Sequence, residues 1–282
     1  MTMIKIEKSL IEVSWLSEHL HADNLVILNA TLPKAVAGNQ VIKEETKRVP
    51  GARFFDIKNV FSDTTAPFPN TWPGQEAFNQ EARRIGICNN SAIVVYDEHG
   101  IYSSARAWWM FRAMGHDNVA VLNGGLIAWK EAGLALEQKN EQAFDKGDFQ
   151  GRYKEEFFKN HNDVYQTLED RNELVIDARA ENRYQGLVEE PRKGLRSGHI
   201  PNSISLPYTD LLTDGRLLEE QELKKVIGSK LMEKKNLTFS CGSGITACVL
   251  ALGAELAGYK DLSVYDGSWT EWGSMHKLPI EK

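Results

Sequence analysis

The chain has 282 residues, which at roughly 150 residues per domain is enough for two domains. Apolar residues make up 42% and charged residues 26%, a balance that suits a globular protein with hydrophobic cores and excludes a disordered or collagen-like chain. The net charge of −6, without a long block of Lys or Arg, disfavours nucleic acid as a partner.

Apolar runs and cysteines narrow the class further. No apolar run approaches the roughly 18 residues that span a bilayer, and the start of the chain carries Glu7 without a signal-type apolar stretch. We therefore expect a cytoplasmic protein with no membrane partner. Cys88, Cys241 and Cys248 are too few for a disulfide framework, and none belongs to a CxxC pair. The sequence predicts no metal site, and a functional cysteine would act as a free thiol.

In the first half of the chain, short apolar strands end at polar residues and alternate with a helical pattern. The predicted elements are a strand over 25–28 before Asn29, a Pro-marked turn before Phe54, a strand over 93–96 before Asp97, a helix over 105–113, and a strand over 119–122 before Gly124.

The second half repeats this plan. Its predicted elements are a strand over 174–176 before Asp177, a Pro-marked turn before Ile204, a strand over 237–240 before Cys241, a helix over 246–257, and a strand over 262–265 before Gly267. In both halves a tryptophan stands five residues after the glycine that follows the last predicted strand: Trp129 after Gly124, and Trp272 after Gly267. Because strands alternate with helices, we predict an α/β protein with tandem domains, each a mainly parallel sheet flanked by helices.

A polar segment over 134–151 lacks a clear period and has the composition of a surface linker. We place an N-terminal domain at residues 1–138, a linker at 139–156 and a C-terminal domain at 157–282. The tryptophans of both halves are expected to pack in the cores, notably Trp108, Trp109, Trp269 and Trp272.

The segment after the strand that ends at residue 240 carries the strongest chemical signal. Cys241 begins the sequence Cys-Gly-Ser-Gly-Ile-Thr-Ala, between a predicted strand and a predicted helix. Gly242 and Gly244 allow tight dihedrals and close approach of the backbone to a ligand. Several N–H groups then converge on one point, and the helix start near Thr246 adds its positive dipole end. The loop is predicted to bind an anion, and if that anion is the Cys241 sulfur, the thiolate exists at neutral pH without a neighbouring base.

Other interpretations of the cysteines are weaker. Cys88 and Cys248 are expected to be small buried residues without chemistry. A cysteine phosphatase uses a similar loop, but it needs an arginine six residues after its nucleophile, where this chain has Ala247. The sequence therefore favours a sulfur-centred anion over a phosphate.

Four features of the chain form a recognisable set: the tandem arrangement, the Gly-His-Ile-Pro turn at 198–201, the Cys241 loop, and the segment over 265–272. Together they resemble the features of two-domain rhodanese-type sulfurtransferases. A loop that begins Cys-Gly-Ser-Gly is similar to the 3-mercaptopyruvate group of that family, whereas thiosulfate-specific members typically have Cys-Arg-Lys-Gly. The segments over 54–57 and 105–110 also look like the mercaptopyruvate group.

The resemblance implies two rhodanese-like domains and a sulfur transfer. Cys241 would take sulfane sulfur from 3-mercaptopyruvate as a persulfide, release pyruvate, and pass the sulfur to a thiol, thioredoxin or cyanide. Arg183 and Arg192 would bind the keto acid, for which planar guanidinium groups are suited. The persulfide would be held by the loop residues Gly242, Ser243, Gly244, Ile245 and Thr246. No metal and no organic cofactor is implied.

The first half departs from the family pattern. Asp97 stands where the second half has Cys241, which predicts a catalytically silent domain that covers the cleft. Members of the mercaptopyruvate group commonly carry a His and an Asp that are proposed to act with the loop serine. Asn70 and Lys58 stand at or near those places, so a relay through Ser243 is not available in that form.

The remaining charged residues near the predicted site are left out of the catalytic and substrate-binding set. Arg179 and Arg196 are assigned to an ordinary solvated loop, and His199 to a structural hydrogen bond for which Asp177 is one candidate partner. Two other functions stay open: a thiosulfate sulfurtransferase with the same cysteine, and a non-catalytic persulfide carrier or redox-sensing module. The pair of arginines argues for a small-molecule site and against the carrier.

Overall fold

The computed structural model describes residues 2–33, 45–140, 143–170, 172–231 and 236–282. The strands in these ranges are β1 Leu10–Ile11, β2 Leu25–Asn29, β3 Lys47–Arg48, β4 Arg53–Phe54, β5 Ala92–Tyr96, β6 Val119–Leu122, β7 Glu137–Gln138, β8 Phe158–Lys159, β9 Glu173–Asp177, β10 Ile204–Ser205, β11 Leu212–Thr213, β12 Arg216–Leu217, β13 Asn236–Ser240 and β14 Leu262–Tyr265.

The helices alternate with the longer strands, as predicted. They are α1 Val13–His19, α2 Gln75–Arg84, α3 Ser104–Ala113, α4 Gly125–Glu131, α5 His161–Thr167, α6 Glu181–Tyr184, α7 Glu220–Gly228, α8 Ala247–Leu256 and α9 Ser268–Ser274. Short 3₁₀ turns cover Glu155–Phe157 and Tyr208–Leu211. Within the described residues, no helix is long and apolar enough to cross a membrane.

Two five-stranded sheets with the same topology form the framework. The first has the order β4, β2, β5, β6, β1 and the second the order β10, β9, β13, β14, β8, and every pair in both is parallel. Each strand of the first sheet therefore has a counterpart in the second, and β5 corresponds to β13. The predicted α/β fold and the repeat are confirmed.

The longest strands are buried because helices cover both faces of each sheet. All five residues of β5 are buried, which fits the continuous apolar sequence of a central parallel strand. Helices α3 and α8, which follow the equivalent strands β5 and β13, pack against each other and join the two halves through one hydrophobic core. Helix α8 is apolar around its circumference, as expected of a helix enclosed on all sides.

The segment predicted as a surface linker, residues 134–151, is attached to the first half of the chain. Its Phe149 is 1% exposed, and the Phe149 N–H donates to the Ile87 carbonyl at 3.1 Å. The Arg152 N–H donates to the Met114 carbonyl at 3.0 Å. The segment therefore lies on the surface, as its composition indicates, and one aromatic side chain and a run of backbone hydrogen bonds tie it down. Residues 141–142 of the predicted linker lie outside the described residues.

A buried ion pair joins the two halves near the carboxyl ends of the sheets. Arg106 of α3 is fully buried and donates to the Asp266 carboxylate at 2.6 Å. Arg106 also donates to the carbonyls of Asn70 at 2.8 Å and Gly244 at 3.4 Å. The second oxygen of Asp266 accepts the Trp72 N–H at 2.7 Å. This cluster links residues of the first half to the segments that precede α8 and α9.

We predict that Arg106→Met lowers the free energy of unfolding by about 3–5 kcal/mol, because it leaves the Asp266 carboxylate without its charge partner in a buried place. Arg84→Met is the control, since Arg84 is 59% exposed in its pair with Glu81, and such pairs contribute less than about 1 kcal/mol. Urea unfolding followed by tryptophan fluorescence measures both variants. Similar small losses in the two would contradict a stabilising role for the buried pair.

Candidate active site

Cys241 follows the central strand β13 at the carboxyl end of the second sheet, where ligands of parallel α/β sheets bind. The residue is 2% exposed. The loop 241–246 connects β13 to α8, as the sequence predicts, and Thr246 is the residue before the first helical turn. The cysteine is therefore placed between a strand end and a helix start.

The hydroxyl of Ser268 shapes this loop. It accepts the N–H groups of Cys241 and Gly244, both at 3.1 Å, and donates to the Tyr265 carbonyl at 2.7 Å. Gly244 has φ +72°, and a Cβ there would lie 2.7 Å from the Asp266 carbonyl oxygen. Only glycine fits this close approach of two backbones without strain.

Four backbone donors of the loop remain free for a ligand. In the described part of the chain, the N–H groups of Gly242, Ser243, Ile245 and Thr246 donate to no protein acceptor. Buried N–H groups are nearly always paired in folded proteins, so a cluster of free ones next to a cysteine indicates an anion cradle. The Ile245 side chain packs in the core, which limits the residue to a backbone contribution.

The equivalent loop of the first half shows what such a cradle binds. One oxygen of Asp97, the counterpart of Cys241, accepts the N–H groups of Tyr102, Ser103 and Ser104 at 2.8–2.9 Å. The other oxygen accepts the N–H of His99 at 2.9 Å. The first loop is thus filled by its own carboxylate, which leaves the second loop as the one with free donors.

Both predicted substrate arginines lie beside the second residue of the cysteine loop. A Cβ placed on Gly242 would lie 3.4 Å from Arg183 Nη2 and 3.7 Å from Arg192 Nη1. Arg192 also donates to the hydroxyls of Ser243 and Thr270, each at 3.3 Å. The structure therefore brings these two arginines together with the cysteine loop.

The charges of the two arginines are balanced differently. Arg183 donates to the Glu190 carboxylate at 2.6 Å, whereas the partners of Arg192 among the described residues are neutral hydroxyls. Glu190 also accepts from Arg179 at 2.9 Å. Arg192 is therefore the less compensated positive charge beside the cysteine loop.

Arg179 is not the solvated residue that we expected. It is 2% exposed, it pairs with Asp177 at 2.7 Å, and its guanidinium lies 4.4 Å from the centre of the Trp269 ring. Burial alone would lower the pKa of Arg179, but Asp177 and Glu190 outweigh this effect and raise it. The composition of the loop could not predict this pairing, which links Arg179 to Asp177 at the end of β9 and to Glu190.

Arg196 is not the solvated residue that we expected, and His199 is structural, with a partner that the sequence did not supply. Arg196 donates to four backbone carbonyls at and after the end of α9, namely those of Trp272, Gly273, Met275 and Leu278. The His199 ring stacks on Tyr184 with 3.9 Å between ring centres and donates to the Tyr184 carbonyl at 2.9 Å. The suggested partner Asp177 is wrong, because its carboxylate is held by Arg179.

Asn70 reaches the cysteine loop from the first half. Its amide nitrogen lies 3.0 Å from Ser243 Oγ. The position that departs from the family pattern is thus in contact with the loop serine. Lys58 is exposed, and its backbone N–H donates to Asp56.

The other two cysteines are not at the free N–H groups of the loop. Cys248 is fully buried in α8, and its thiol donates to the Gly244 carbonyl at 3.3 Å. Burial raises the pKa of Cys248 to about 12, so it stays a thiol at neutral pH. Cys88 is half-buried in the first half. The four tryptophans expected in the cores are all buried there.

The sequence did not identify the residues that contact the cysteine loop or its neighbours from other segments. Ser268, Thr270, Asp266 and Arg106 had no assigned role, although all contact the loop or its neighbours. A signal existed for Arg106, which is the single charge in the run Ala-Arg-Ala-Trp-Trp. An arginine in such a run has to find a buried partner.

Comparisons with known proteins agree with this architecture. The family model described as "Rhodanese-like domain" matches residues 12–132 and 160–275. The human 3-mercaptopyruvate sulfurtransferase is 39% identical over 94% of this chain and 92% of its own length. The Escherichia coli K12 protein of that name is 35% identical over 95% of both chains. A thiosulfate sulfurtransferase of Gallus gallus is 34% identical over 96% of this chain and 95% of its own.

Solved structures match over the same extent. The crystal structure of SseA from E. coli, described among 3-mercaptopyruvate sulfotransferases, aligns with a TM-score of 0.83 at 32% identity, covering 93% of this chain and 99% of that one. Tum1 of Saccharomyces cerevisiae aligns with a TM-score of 0.85 at 26% identity, covering 97% and 98%. The two matched segments contain four of the five strands of each sheet, and the chain therefore belongs to the rhodanese family, with two copies of its domain.

Proposed function

We propose that this protein is a sulfurtransferase that takes the thiol sulfur of 3-mercaptopyruvate and holds it as the sulfane sulfur of a Cys241 persulfide. The observation that carries this proposal is the set of free N–H groups in the loop that begins at Cys241. The filled loop of Asp97 supports it, because backbone N–H groups at the corresponding strand end and helix start bind an anion of the chain itself there. A persulfide anion on Cys241 would be stabilised by the same kind of donors.

The two arginines beside Gly242 suit the rest of the donor molecule. 3-Mercaptopyruvate carries one carboxylate next to a keto group, and guanidinium groups bind such oxygens through paired hydrogen bonds. Arg192 supplies the less compensated charge, so we assign it the carboxylate. Arg183, whose charge is shared with Glu190, is assigned the keto oxygen.

The reaction then balances without a cofactor. The Cys241 thiolate attacks the sulfur of 3-mercaptopyruvate, the new S–S bond forms, and the C–S bond breaks. The electron pair of that bond passes into the keto group, so pyruvate leaves as its enolate. The proton of the transferred SH group is released when the persulfide becomes an anion, and one proton is taken up when the enolate becomes pyruvate.

A thiol, reduced thioredoxin or cyanide then removes the outer sulfur and restores the thiolate. We assign the first domain, residues 1–138, a covering role without turnover of its own, and we place catalysis in residues 157–282. A catalytic thiol that has to stay reduced fits the cytoplasm, where we place the activity.

Thiosulfate is the alternative donor, and relatives of both names are similar to this chain. Thiosulfate is a compact dianion that needs more positive charge near the sulfur. The loop side chains at 242–245 carry none, and Glu190 neutralises part of the charge of Arg183. These features favour the keto acid. A persulfide carrier without turnover would have no use for two arginines at the loop.

We predict that excess 3-mercaptopyruvate, without an acceptor, raises the intact mass of the protein by one sulfur atom. Cys241→Ser should show no gain, because it removes the nucleophile. Cys248→Ala and Cys88→Ser are the matched controls and should keep the gain, since burial holds Cys248 as a thiol. A gain in Cys241→Ser, or no gain in any form, would overturn the covalent mechanism.

We predict that Arg192→Gln lowers kcat/KM for 3-mercaptopyruvate by about 10- to 100-fold, because it removes a charged partner of the carboxylate. Arg183→Gln should lose less, since Glu190 already takes part of that charge. Lys193→Gln, at the exposed neighbouring position, is the control. Steady-state pyruvate formation measures all three. Equal losses in Arg192→Gln and Lys193→Gln would contradict the assigned contact.

We also predict that kcat/KM for 3-mercaptopyruvate exceeds that for thiosulfate by about tenfold or more, with cyanide as the common acceptor. The physical reason is the uncharged cysteine loop. A clear preference for thiosulfate would make the donor assignment wrong and leave the persulfide chemistry standing. Failure to turn over more than once with acceptor in excess would instead favour the carrier.

A further inference from the structure

Asn70 and Ser243 meet across the contact between the two domains. Asn70 lies in the first domain, is 9% exposed and has φ +62°, a conformation that asparagine tolerates better than most residues. Its amide nitrogen is 3.0 Å from Ser243 Oγ and 3.5 Å from the Ser243 carbonyl oxygen. A carbonyl oxygen only accepts hydrogen bonds, so the side of the amide that faces Ser243 has to be the NH₂ group.

The Ser243 hydroxyl therefore has two donors as neighbours. One is the Asn70 NH₂ group, and the other is Arg192 Nη2 at 3.3 Å. A guanidinium group has no acceptor and keeps its charge, so it too can only donate. Both contacts use lone pairs of the Ser243 oxygen, and its own hydrogen is left over.

That hydrogen has no protein acceptor in the part of the chain that the structure describes, although Ser243 is only 7% exposed. Buried hydroxyl groups normally donate as well as accept. Ser243 belongs to the loop with the free N–H groups, so its hydrogen is one more donor available to a ligand there.

Asn70 is itself held in place. Its carbonyl oxygen accepts from Arg106 at 2.8 Å, and Arg106 is fully buried and paired with Asp266 at 2.6 Å. The charged groups near the amide are therefore Arg106, Arg192 and Asp266, of which two are guanidinium groups and the third is ion-paired. The backbone of Asn70 is fixed by the same cluster that joins the domains.

We propose that Asn70 is a positioning residue that keeps the Ser243 hydroxyl turned toward the substrate as a hydrogen-bond donor. This inference rests on the proposed function. When the C–S bond of 3-mercaptopyruvate breaks, its electron pair moves to the keto oxygen, and the Ser243 O–H donates a hydrogen bond to that oxygen. Ser243 keeps its proton throughout, so it acts by stabilising charge and not by proton transfer.

The first test deletes the amide without disturbing the backbone. Asn70→Gly tolerates the positive φ, and it should lower the rate constant of the pyruvate burst by about tenfold with little change in the half-saturating substrate concentration. Ser243→Ala should lose a similar factor. The double variant should be no slower than Ser243→Ala, because the effect of Asn70 passes through the hydroxyl.

The second test reverses the hydrogen bond. In Asn70→Asp the ionised carboxylate accepts the Ser243 hydrogen, which removes the donor from the substrate. Once protonated, the carboxyl group donates again and frees that hydrogen. The burst rate of this variant, divided by that of the native protein, should therefore rise as the pH falls. Asn70→Gly should show a ratio that is independent of pH.

Asn202→Gly is the matched control, since Asn202 also has a positive φ of +59° but is exposed, and its side chain donates to the Leu168 carbonyl, which is outside the site. It should keep the native burst rate. The inference would be overturned if the burst-rate losses of Asn70→Gly and Ser243→Ala multiplied in the double variant. It would also be overturned if the burst rate of Asn70→Asp, relative to the native protein, did not change with pH. A mass gain of one sulfur in the same variants shows that the persulfide chemistry itself stands, which separates the two failures.

Discussion

The guanidinium group of Arg106 has no access to water, and an unpaired charge in such a place would cost several kcal/mol. Burial alone would lower the pKa of Arg106, but Asp266 outweighs it and raises the pKa. The partners of this one group come from both domains, so the charge is satisfied only when the domains meet in one orientation. That orientation brings the turn with Asn70 and Trp72 against the segments around Cys241.

The same strand, loop and helix occur twice, with opposite outcomes. The first loop supplies its own anion through Asp97, and the second domain closes over it. A Cβ on Gly100 would lie 2.6 Å from the Gly215 carbonyl oxygen, in the turn between β11 and β12. The second loop keeps its donors free and receives an amide and a guanidinium group from the first domain. The carboxylate of Asp97 and the close contact of Gly100 with Gly215 thus fill the first loop, whereas the second keeps free donors.

The sequence alone was sufficient for the features that depend on local pattern. Apolar runs located the central strands, and the glycines around Ser243 indicated the anion cradle. The contacts that depend on how the domains meet were beyond it, since neither the Arg106 pair nor the reach of Asn70 leaves a periodic signal. Arg179 was misjudged for a related reason, because a charged loop has the same composition whether its charges are solvated or paired in the interior.

The groups that surround the Cys241 loop come from both domains. Within the second domain, Arg183 shares its charge with Glu190, and the loop side chains are neutral. The loop serine is contacted from the first domain by an amide whose backbone is held by Arg106, and from the second domain by Arg192. A domain with Asp97 in place of the cysteine therefore contributes a fixed donor to its neighbour's loop, and residues of both copies line the site around Cys241.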